Sequence, residues 1–290
     1  MYKTVSEMAE KWGLSERTVR NYCASAKIEG AIINGKTWYI PEDAVLPQKK
    51  KSDRNLLSVL TLEKNAKVTG GIYHKIQIEL TYNSNHIEGS TLTHEQTRFI
   101  YETNTIGKTE NVKVDDIVET ANHFRCIDLV IANATKPISE NFIKTLHFTL
   151  KNGTVDSRLE WFSVGEYKKL PNEVGGRETS SPDNVQDDIK KLILEYSKKQ
   201  NKTLSDLLEF HYSFERIHPF QDGNGRIGRL LLFKECLKHN IVPFIISDDL
   251  KYFYYRGLSE WEREKGYLTD TCLTAQDRFK KWLDYFKIEY

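Results

Sequence analysis

The chain has 290 residues, of which 39% are hydrophobic and 29% charged, a balance typical of a globular protein of one or two domains. With 42 Lys or Arg against 41 Asp or Glu, it has no global field that would attract nucleic acid or a membrane, so such a partner would need a local patch. No run approaches the roughly 18 apolar residues of a membrane span, and the four widely spaced cysteines indicate neither a zinc site nor a disulfide framework. We therefore expect a cytoplasmic protein with reduced thiols and no membrane partner.

Residues 1–46 predict a small domain of two helices and a hairpin. Thr4 to Glu7 opens the first helix, Gly13 breaks it, and Ser15 caps the second. Two short helices joined by a Gly-containing turn are typical of a helix-turn-helix, and Asn34-Gly35 between two β-prone runs predicts the hairpin of a wing. The segment resembles the excisionase and MerR-like helix-turn-helix modules, and this resemblance implies a winged DNA-binding domain.

The charges of this N-terminal segment are compatible with DNA but do not require it. Residues 1–54 hold ten Lys or Arg and seven Asp or Glu, a modest positive excess. Arg17 and Arg20 lie on the second predicted helix and are the candidate contacts to DNA, and a solvated helix face is the alternative. Residues 47–55 include a charged stretch with no apolar face, so we interpret them as a linker, with the exposed start of the next helix as the alternative.

From residue 56 to residue 290 the pattern is mainly helical. Ser139 caps one predicted helix, and residues 204–217 form another that ends directly before the most informative loop of the chain. Residues 163–182 break the helical rule, because β-prone flanks surround Pro and Gly, and they predict a hairpin or flap. Three tryptophans are expected in the core: Trp161, Trp261 and Trp282.

The loop HPFQDGNGRIGR, residues 218–229, combines groups that suit a nucleotide. A Gly-rich turn that feeds a helix presents unpaired backbone N–H groups and the positive end of the helix dipole, which favour phosphate. Arg226 and Arg229 are three apart on the first helical turn, so their guanidinium groups can hold two phosphates. Asp222 is a hard oxygen ligand of the kind that Mg²⁺ prefers, and His218 can accept a proton near neutral pH. The loop therefore predicts a phosphate cradle, a metal ligand and a general base.

This loop matches the motif HxFx(D/E)GNGRxxR of the Fic family at every fixed position, and roughly residues 80–260 resemble that family. The resemblance implies a helical Fic core that binds ATP and Mg²⁺ and transfers AMP to a Ser, Thr or Tyr hydroxyl of a target protein. It also implies that His218 deprotonates this hydroxyl and that Asp222 holds Mg²⁺ on the α- and β-phosphates. The implied nucleotide-binding residues are Gly223, Asn224, Gly225, Arg226 and Arg229.

Residues 163–182 resemble the flap of the family, a hairpin that pairs with a segment of the target protein as an added strand. Gly165-Glu166-Tyr167 and Val174-Gly175-Gly176 fit its usual pattern. Lys168 stands where Arg is commoner, which leaves the details of the grip on the target open.

Transfer of phosphate is the alternative to transfer of AMP. The Doc-type relatives, which phosphorylate, carry Lys where this chain has Gly225. That Lys would occupy the α-phosphate site and force the nucleotide to bind in reverse. Gly225 leaves the site open, which favours AMP transfer.

The segment SNHIEG predicts autoinhibition of the protein. Ser84 and Glu88 are four residues apart and so share one helix face, and Gly89 ends that helix, which we place near residues 80–89. A solvent-facing Ser and Glu is the alternative from these residues alone. The segment resembles the motif (S/T)xxxE(G/N) of Fic proteins with an N-terminal inhibitory helix. This resemblance implies that Glu88 pairs with Arg229 and blocks productive binding of the γ-phosphate, and in some relatives the same Glu allows AMP to be removed.

We therefore predict a mainly α protein in two parts. A winged helix-turn-helix domain at 1–46 precedes a Fic domain with a β-hairpin flap at 56–290. A homo-oligomer is compatible with the sequence. The predicted function is a protein adenylyltransferase, a nucleotidyltransferase of the EC 2.7.7 type, autoinhibited by Glu88. The alternatives are a DNA-binding transcriptional regulator whose Fic domain senses nucleotide or a partner, and an enzyme that also removes AMP.

Overall fold

The computed structural model describes residues 2–12, 16–24, 27–35, 37–45, 55–107 and 112–290. Its contacts divide the chain into two compact units, Met1–Asp53 and Arg54–Tyr290. Helices dominate the described residues and the strands are short, which confirms the mainly α class. The predicted linker 47–55 lies, except for Asn55, outside the described residues, so its boundaries stay a prediction.

In the first unit, two short helices accompany a three-stranded antiparallel sheet, in which β3 (Thr37–Pro41) lies between β1 (Tyr2–Thr4) and β2 (Ile32–Asn34). Thr4 and Glu7 cap the first helix reciprocally, because each backbone N–H donates to the side chain of the other, at 2.8 and 3.3 Å. Asn34 pairs with Thr37 across the turn, which confirms the predicted hairpin. The elements are β1 (Tyr2–Thr4), α1 (Val5–Trp12), α2 (Glu16–Ala24), β2 (Ile32–Asn34) and β3 (Thr37–Pro41).

This unit has a small core of its own. One apolar cluster contains the fully buried side chains of Met8 from α1, Val19 from α2 and Ile40 from β3. The two helices and the sheet therefore share one hydrophobic core. The predicted helix break at Gly13 and the predicted cap at Ser15 lie outside the described residues.

The second unit is a bundle of helices around a buried central helix, α10. That helix packs against α9, α6, α7 and α4, and nearly all of its residues are buried, as expected of a helix enclosed on all sides. Within the described ranges no helix is long and apolar enough to cross a membrane. The helices are α3 (Leu56–Ala66), α4 (Ile72–Ile87), α5 (His94–Thr103), α6 (Val114–Ala132), α7 (Glu140–Lys151), α8 (Val185–Ser197), α9 (Leu204–Ile217), α10 (Asn224–Lys238), α11 (Lys251–Ser259) and α12 (Gly266–Tyr285).

Several predicted features of this unit are confirmed. Ser139 caps α7, since its Oγ accepts the Phe142 N–H at 3.2 Å, and α9 has the predicted bounds. The predicted flap contains the antiparallel pair β4 (Glu173–Val174) and β5 (Arg177–Glu178). The turn between the two strands holds Gly175 and Gly176 at φ of 58° and 73°, a backbone region that favours glycine.

Of the three tryptophans expected in the core, two follow the expectation. Trp261 is buried, and Trp282 packs against the main core. Trp161 is 44% exposed, so its expected burial is wrong. The adjacent Phe162 is buried in its place, since one side chain of the pair faces the protein and the other faces solvent.

Candidate active site

The predicted catalytic loop joins α9 to α10, and His218 is the first residue after α9. His218 has φ 52° and ψ 62°, the left-handed region that non-glycine residues rarely adopt. Its N–H donates to the Phe214 carbonyl at 3.0 Å and so closes α9. Because such a conformation costs on the order of 1 kcal/mol, it marks a position that the surrounding structure holds in place.

Asn224 and Phe220 give the loop its shape. The Phe220 N–H donates to Asn224 Oδ1 and Asn224 Nδ2 donates to the Phe220 carbonyl, both at 2.8 Å. The Phe220 ring is buried and stacks on His147 with ring centroids 3.9 Å apart. The predicted binding residue Asn224 thus holds the loop together through its side chain, while its backbone N–H belongs to the start of α10.

The N-terminus of α10 forms the predicted phosphate cradle. The first hydrogen bond of the helix runs from the Ile227 N–H to the Gly223 carbonyl at 3.0 Å. The N–H groups of residues 224–226 therefore precede the helical ladder and point out of its positive end. Gly223 has φ 84°, a backbone conformation that favours glycine, whereas the space around it would admit a Cβ, whose nearest neighbour would be Leu150 at 3.4 Å.

His147, which the sequence did not single out, bridges the loop and the base of the flap. Its Nδ1 accepts the Gly165 N–H at 2.9 Å, which leaves Nε2 as the donor to the Asp222 carbonyl at 3.2 Å. Burial lowers the pKa of His147 to about 3, so the ring is neutral and both contacts persist at neutral pH.

Asp222 belongs to a cluster of alternating charges that the sequence did not reveal. Its Oδ2 accepts hydrogen bonds from Lys151 Nζ at 2.6 Å and from Arg226 Nη2 at 3.2 Å. Glu119 on α6 contacts both cations from the other side. Burial opposes ionisation of Asp222, but Arg226 and Lys151 outweigh it and lower its pKa to about 2.

Asp222 fits the predicted role of a Mg²⁺ ligand. Both cations contact Oδ2, and the side chain is 48% exposed, whereas the Lys151 side chain behind it is 2% exposed. The carboxylate is therefore open on its solvent side. Within the described ranges no group of three His, Cys, Asp or Glu side chains could hold a metal. A single carboxylate completed by substrate phosphates and water is an arrangement typical of Mg²⁺.

Arg229, the second predicted phosphate ligand, contacts the end of α4. Its Nη2 donates to Glu88 Oε1 at 2.7 Å and to the Ser84 carbonyl at 2.9 Å, and its Nε donates to Ser84 Oγ at 3.0 Å. Gly89, at φ 94°, follows the end of α4 and turns the chain away. Burial disfavours the charge on Arg229, yet Glu88 more than compensates and raises its pKa.

Glu88 also lies over the phosphate cradle. A Cβ built on Gly225 would overlap the Glu88 carboxylate, and it would lie 3.0 Å from Arg229 Nη1. The carboxylate therefore faces the backbone that is predicted to bind the anionic nucleotide. Because two anions repel at this range, Glu88 and a phosphate cannot share the site without rearrangement.

His218 lies in surroundings that keep its imidazole neutral. Burial lowers its pKa to about 4, and the charge of Lys168 acts in the same direction, against the Glu215 backbone, Glu88 and Asp222. An imidazole that is deprotonated at pH 7 can accept a proton from a hydroxyl. Glu215 is itself buried, which raises its pKa to about 8, and its carboxylate lies against Gly228.

A cavity of about 400 Å³ opens between the flap and helices α9 and α11. Its walls include Val174 and Arg177 from the flap, Tyr212 and Glu215 from α9, and Tyr255 from α11. Aromatic and aliphatic walls with a few polar groups are typical of small-molecule sites. Tyr255 links the cavity to the end of α4, since its hydroxyl donates to the Ile87 carbonyl at 3.3 Å.

The candidate DNA contacts lie in the first unit. Arg20 on α2 is exposed, and its Nη2 donates to Glu16 one turn earlier at 2.6 Å. An exposed pair of this kind is worth little energy, so a DNA phosphate could replace Glu16. The side chain of Arg17 lies outside the described residues.

Comparison with known proteins gives a family match for part of each unit. Residues 137–235 match the Fic/DOC family. The chain carries a Fic domain. Residues 4–46 match a helix-turn-helix domain, which agrees with the fold of the first unit.

The Fic domain has relatives in animals and bacteria. "Protein adenylyltransferase Fic" of Drosophila grimshawi and that of Drosophila mojavensis are each 30% identical over 190 residues, which cover 61% of this chain. The chain spans only 36% and 35% of the length of these two relatives.

Solved structures share the fold. A Fic domain containing signaling protein from Bacteroides thetaiotaomicron is 26% identical, with a TM-score of 0.59 over 79% of this chain and 90% of its own. Fic-1 from C. elegans, at 19% identity, has a TM-score of 0.61 over 79% of this chain and 69% of its own, which supports the fold alone.

Proposed function

We propose that this protein is a protein adenylyltransferase, which transfers AMP from ATP to a Ser, Thr or Tyr hydroxyl of a target protein. The observation that carries the proposal is one loop that combines a neutral imidazole at His218, a helix N-terminus whose first N–H groups precede the helical hydrogen bonds, and a half-exposed carboxylate at Asp222. The name of the Drosophila relatives supports the same reaction at 30% identity.

In the proposed reaction, His218 takes the proton of the target hydroxyl. The oxygen then forms a bond to the α-phosphorus of ATP, the bond from that phosphorus to the β-phosphate oxygen breaks, and pyrophosphate leaves. The N–H groups at the start of α10 and the Arg226 guanidinium would stabilise the charge on the phosphate oxygens. Asp222 would hold Mg²⁺, which neutralises phosphate charge when bound.

The choice of AMP transfer over phosphate transfer rests on Gly225. Gly225 has no side chain of its own, so displacement of Glu88 would leave the backbone N–H groups open to the α-phosphate of the nucleotide. We further propose that the cavity of about 400 Å³ beside the flap takes the adenine base and that the target docks along the flap. The β4–β5 sheet has only two strands, so the outer edge of each strand is unpaired within the described structure.

We also propose that the described conformation is inhibited. Arg229 is engaged by Glu88 and Ser84, and Glu88 covers Gly225, so an incoming γ-phosphate meets an occupied cation and a nearby anion. Displacement of Glu88 would free Arg229 and expose the cradle together. The proposal thus explains why a complete catalytic loop and a closed phosphate site occur in one structure.

Labelled ATP separates the candidate reactions. The Glu88→Gly variant is incubated with Mg²⁺ and lysate, with ATP labelled at either the α- or the γ-phosphate. The proposal expects protein-bound label from α-labelled ATP alone, and none with the Glu88→Gly, His218→Ala double variant. Label from γ-labelled ATP would instead indicate phosphate transfer. Absence of any label with a folded, ATP-binding protein would favour a sensor over an enzyme.

A DNA-binding regulator is the second candidate function. The match of residues 4–46 to a helix-turn-helix domain and the exposed Arg20 favour it. The two functions are compatible, since DNA contact and AMP transfer would use different units of the chain. Retardation of duplex DNA by the full chain, with and without ATP, tests whether the Fic domain influences DNA binding.

A further inference from the structure

Lys168 lies at the base of the flap and is only 4% exposed, which is unusual for a lysine. Its Nζ donates to Asn172 Oδ1 at 2.7 Å and to Thr179 Oγ1 at 2.6 Å, which lie before and after the β4–β5 pair. The ammonium group also lies 3.4 Å from the Ile217 carbonyl, directly before His218. One buried cation therefore contacts both arms of the flap and the end of α9.

Other hydrogen bonds join the same flap base to the loop. The Lys168 N–H donates to the Pro219 carbonyl at 2.9 Å. Asn172 Nδ2 donates to the Phe220 carbonyl at 3.0 Å, and the Leu170 N–H lies 3.3 Å from Gln221 Oε1. The flap base thus contacts residues 217, 219, 220 and 221, on both sides of His218.

We propose that Lys168 is a positioning residue that latches both arms of the flap to the backbone of the catalytic loop. The inference rests on the proposed AMP transfer, in which the flap presents the target hydroxyl to His218. A fixed flap then sets the distance between that hydroxyl and the imidazole, and a shift of about 1 Å in such a distance costs on the order of 100-fold in rate. Burial also places Lys168 beyond the reach of a target protein, so it acts on the flap and not on the target.

The surroundings of Lys168 indicate that its ammonium group is needed for hydrogen bonding and that the side chain does more than fill space. Within the described part of the chain its acceptors are neutral, and no carboxylate forms an ion pair with it. Burial accordingly lowers its pKa to about 8. An apolar side chain of similar length would occupy the same space without this penalty, but it would leave Asn172 and Thr179 without their shared donor.

Four variants of the full chain test the latch in the absence of nucleotide. Lys168→Met removes donor and charge, Lys168→Arg keeps both, and Thr179→Val removes one acceptor while the charge stays. Lys169→Met is the matched control, because the neighbouring lysine is exposed. The readouts are hydrogen exchange of residues 168–179 and the pKa of His218 measured by NMR.

We expect exchange in the flap base to accelerate by at least about tenfold in Lys168→Met and less in Thr179→Val, with Lys168→Arg and Lys169→Met close to the parent. The pKa of His218 should rise in Lys168→Met, since a nearby positive charge is lost, and stay unchanged in Thr179→Val. Unchanged exchange in Lys168→Met overturns the latch. If Lys168→Met does not fold, unchanged exchange in Thr179→Val overturns it instead.

Neither readout needs catalysis, so failure of the latch and failure of the proposed function are distinguishable. A protein with a confirmed latch and no AMP transfer would refute the function alone. In the Glu88→Gly background, Lys168→Met should lower kcat for a protein target by about tenfold or more and leave the dissociation constant of ATP nearly unchanged. An equal loss in ATP affinity would contradict a role confined to the flap.

Discussion

Arg229 Nη2 donates to Glu88 Oε1 at 2.7 Å, a contact between residues 141 positions apart in sequence. A partly buried Arg–carboxylate contact is strong, and here it engages a cation that the nucleotide would need. We predict that Glu88→Gly raises AMP incorporation at fixed ATP and Mg²⁺ by at least about tenfold, equivalent to about 1.4 kcal/mol of barrier. Adding Arg229→Ala should reverse the gain.

Two milder substitutions act as controls for that prediction. Glu88→Gln keeps the shape but loses the charge, so incorporation should rise by less than in Glu88→Gly. Ser84→Ala removes the acceptor of Arg229 Nε and should give a smaller rise again. AMP incorporation by Glu88→Gly at the level of the parent would refute the inhibitory role of Glu88.

His218→Ala should lower AMP transfer by about 10²–10⁴-fold, the usual contribution of a general base. ATP affinity should change little, because the phosphates are expected on α10 and its arginines. The measurement is single-turnover incorporation in the Glu88→Gly background together with calorimetric ATP binding. His94→Ala, which changes a histidine on α5, is the control and should behave like the parent. Full transfer by His218→Ala would exclude the proposed base.

The pH dependence should follow the lowered pKa of His218. A group with a pKa of about 4 is deprotonated across the neutral range, so kcat/KM of Glu88→Gly should be flat from pH 7 to about 5 and fall only towards pH 4. A bend near 6.5 would indicate an ordinary histidine. Because the folded state disfavours protonation, His218 should also reduce stability progressively as pH falls below 6.5 towards 4. Urea unfolding of the parent and His218→Ala at pH 7 and 5 measures that difference.

Asp222→Ala should weaken Mn²⁺ binding in the presence of a non-hydrolysable ATP analogue by at least about tenfold, as measured by electron paramagnetic resonance, because the proposed carboxylate ligand is lost. Asp156→Ala is the matched control, since Asp156 lies 3.5 Å from the same Lys151 but is not the proposed ligand. Equal loss in both variants would point to the charge of the cluster and not to metal coordination.

DNA binding by the first unit should be electrostatic. We expect the full chain to retard duplex DNA at low salt and to lose affinity steeply as salt rises. The double variant Arg17→Ala, Arg20→Ala should bind more weakly and lower the salt slope by about 2, one for each lost phosphate contact. Lys169→Met, in the second unit, should leave it unchanged. No retardation at low salt would favour protein contact as the role of this unit.

Local patterns in the sequence predict much of the fold. The hairpin at Asn34-Gly35, the cap at Ser139 and the bounds of α9 depend on residues within a few positions of one another, and the structure confirms them. The expected burial of Trp161 is wrong because the size of a side chain does not tell which of two adjacent aromatic residues faces inward.

Of the candidate site, too, the sequence predicts some residues and not others. The sequence predicts the loop because its functional residues are contiguous. It predicts the inhibitory role of Glu88 only through the resemblance of its segment to a family motif. Lys151 and Glu119 come from α7 and α6, 71 and 107 residues from their partners Asp222 and Arg226. A lysine and a glutamate on ordinary helices carry no local signal, so such long-range pairs emerge only once the helices are packed.

The missing side chain at position 225 links two properties that would otherwise vary separately. Any Cβ there would collide with the Glu88 carboxylate where it now lies. A lysine there would also occupy the proposed α-phosphate site. A substitution of Gly225 would therefore disturb the proposed inhibitory contact in the same step in which it alters the proposed nucleotide site. In evolutionary terms, a descendant of this protein could not acquire the side chain of a phosphorylating relative while keeping Glu88 where it lies. If both proposals hold, one glycine makes the type of reaction and its inhibition heritable together.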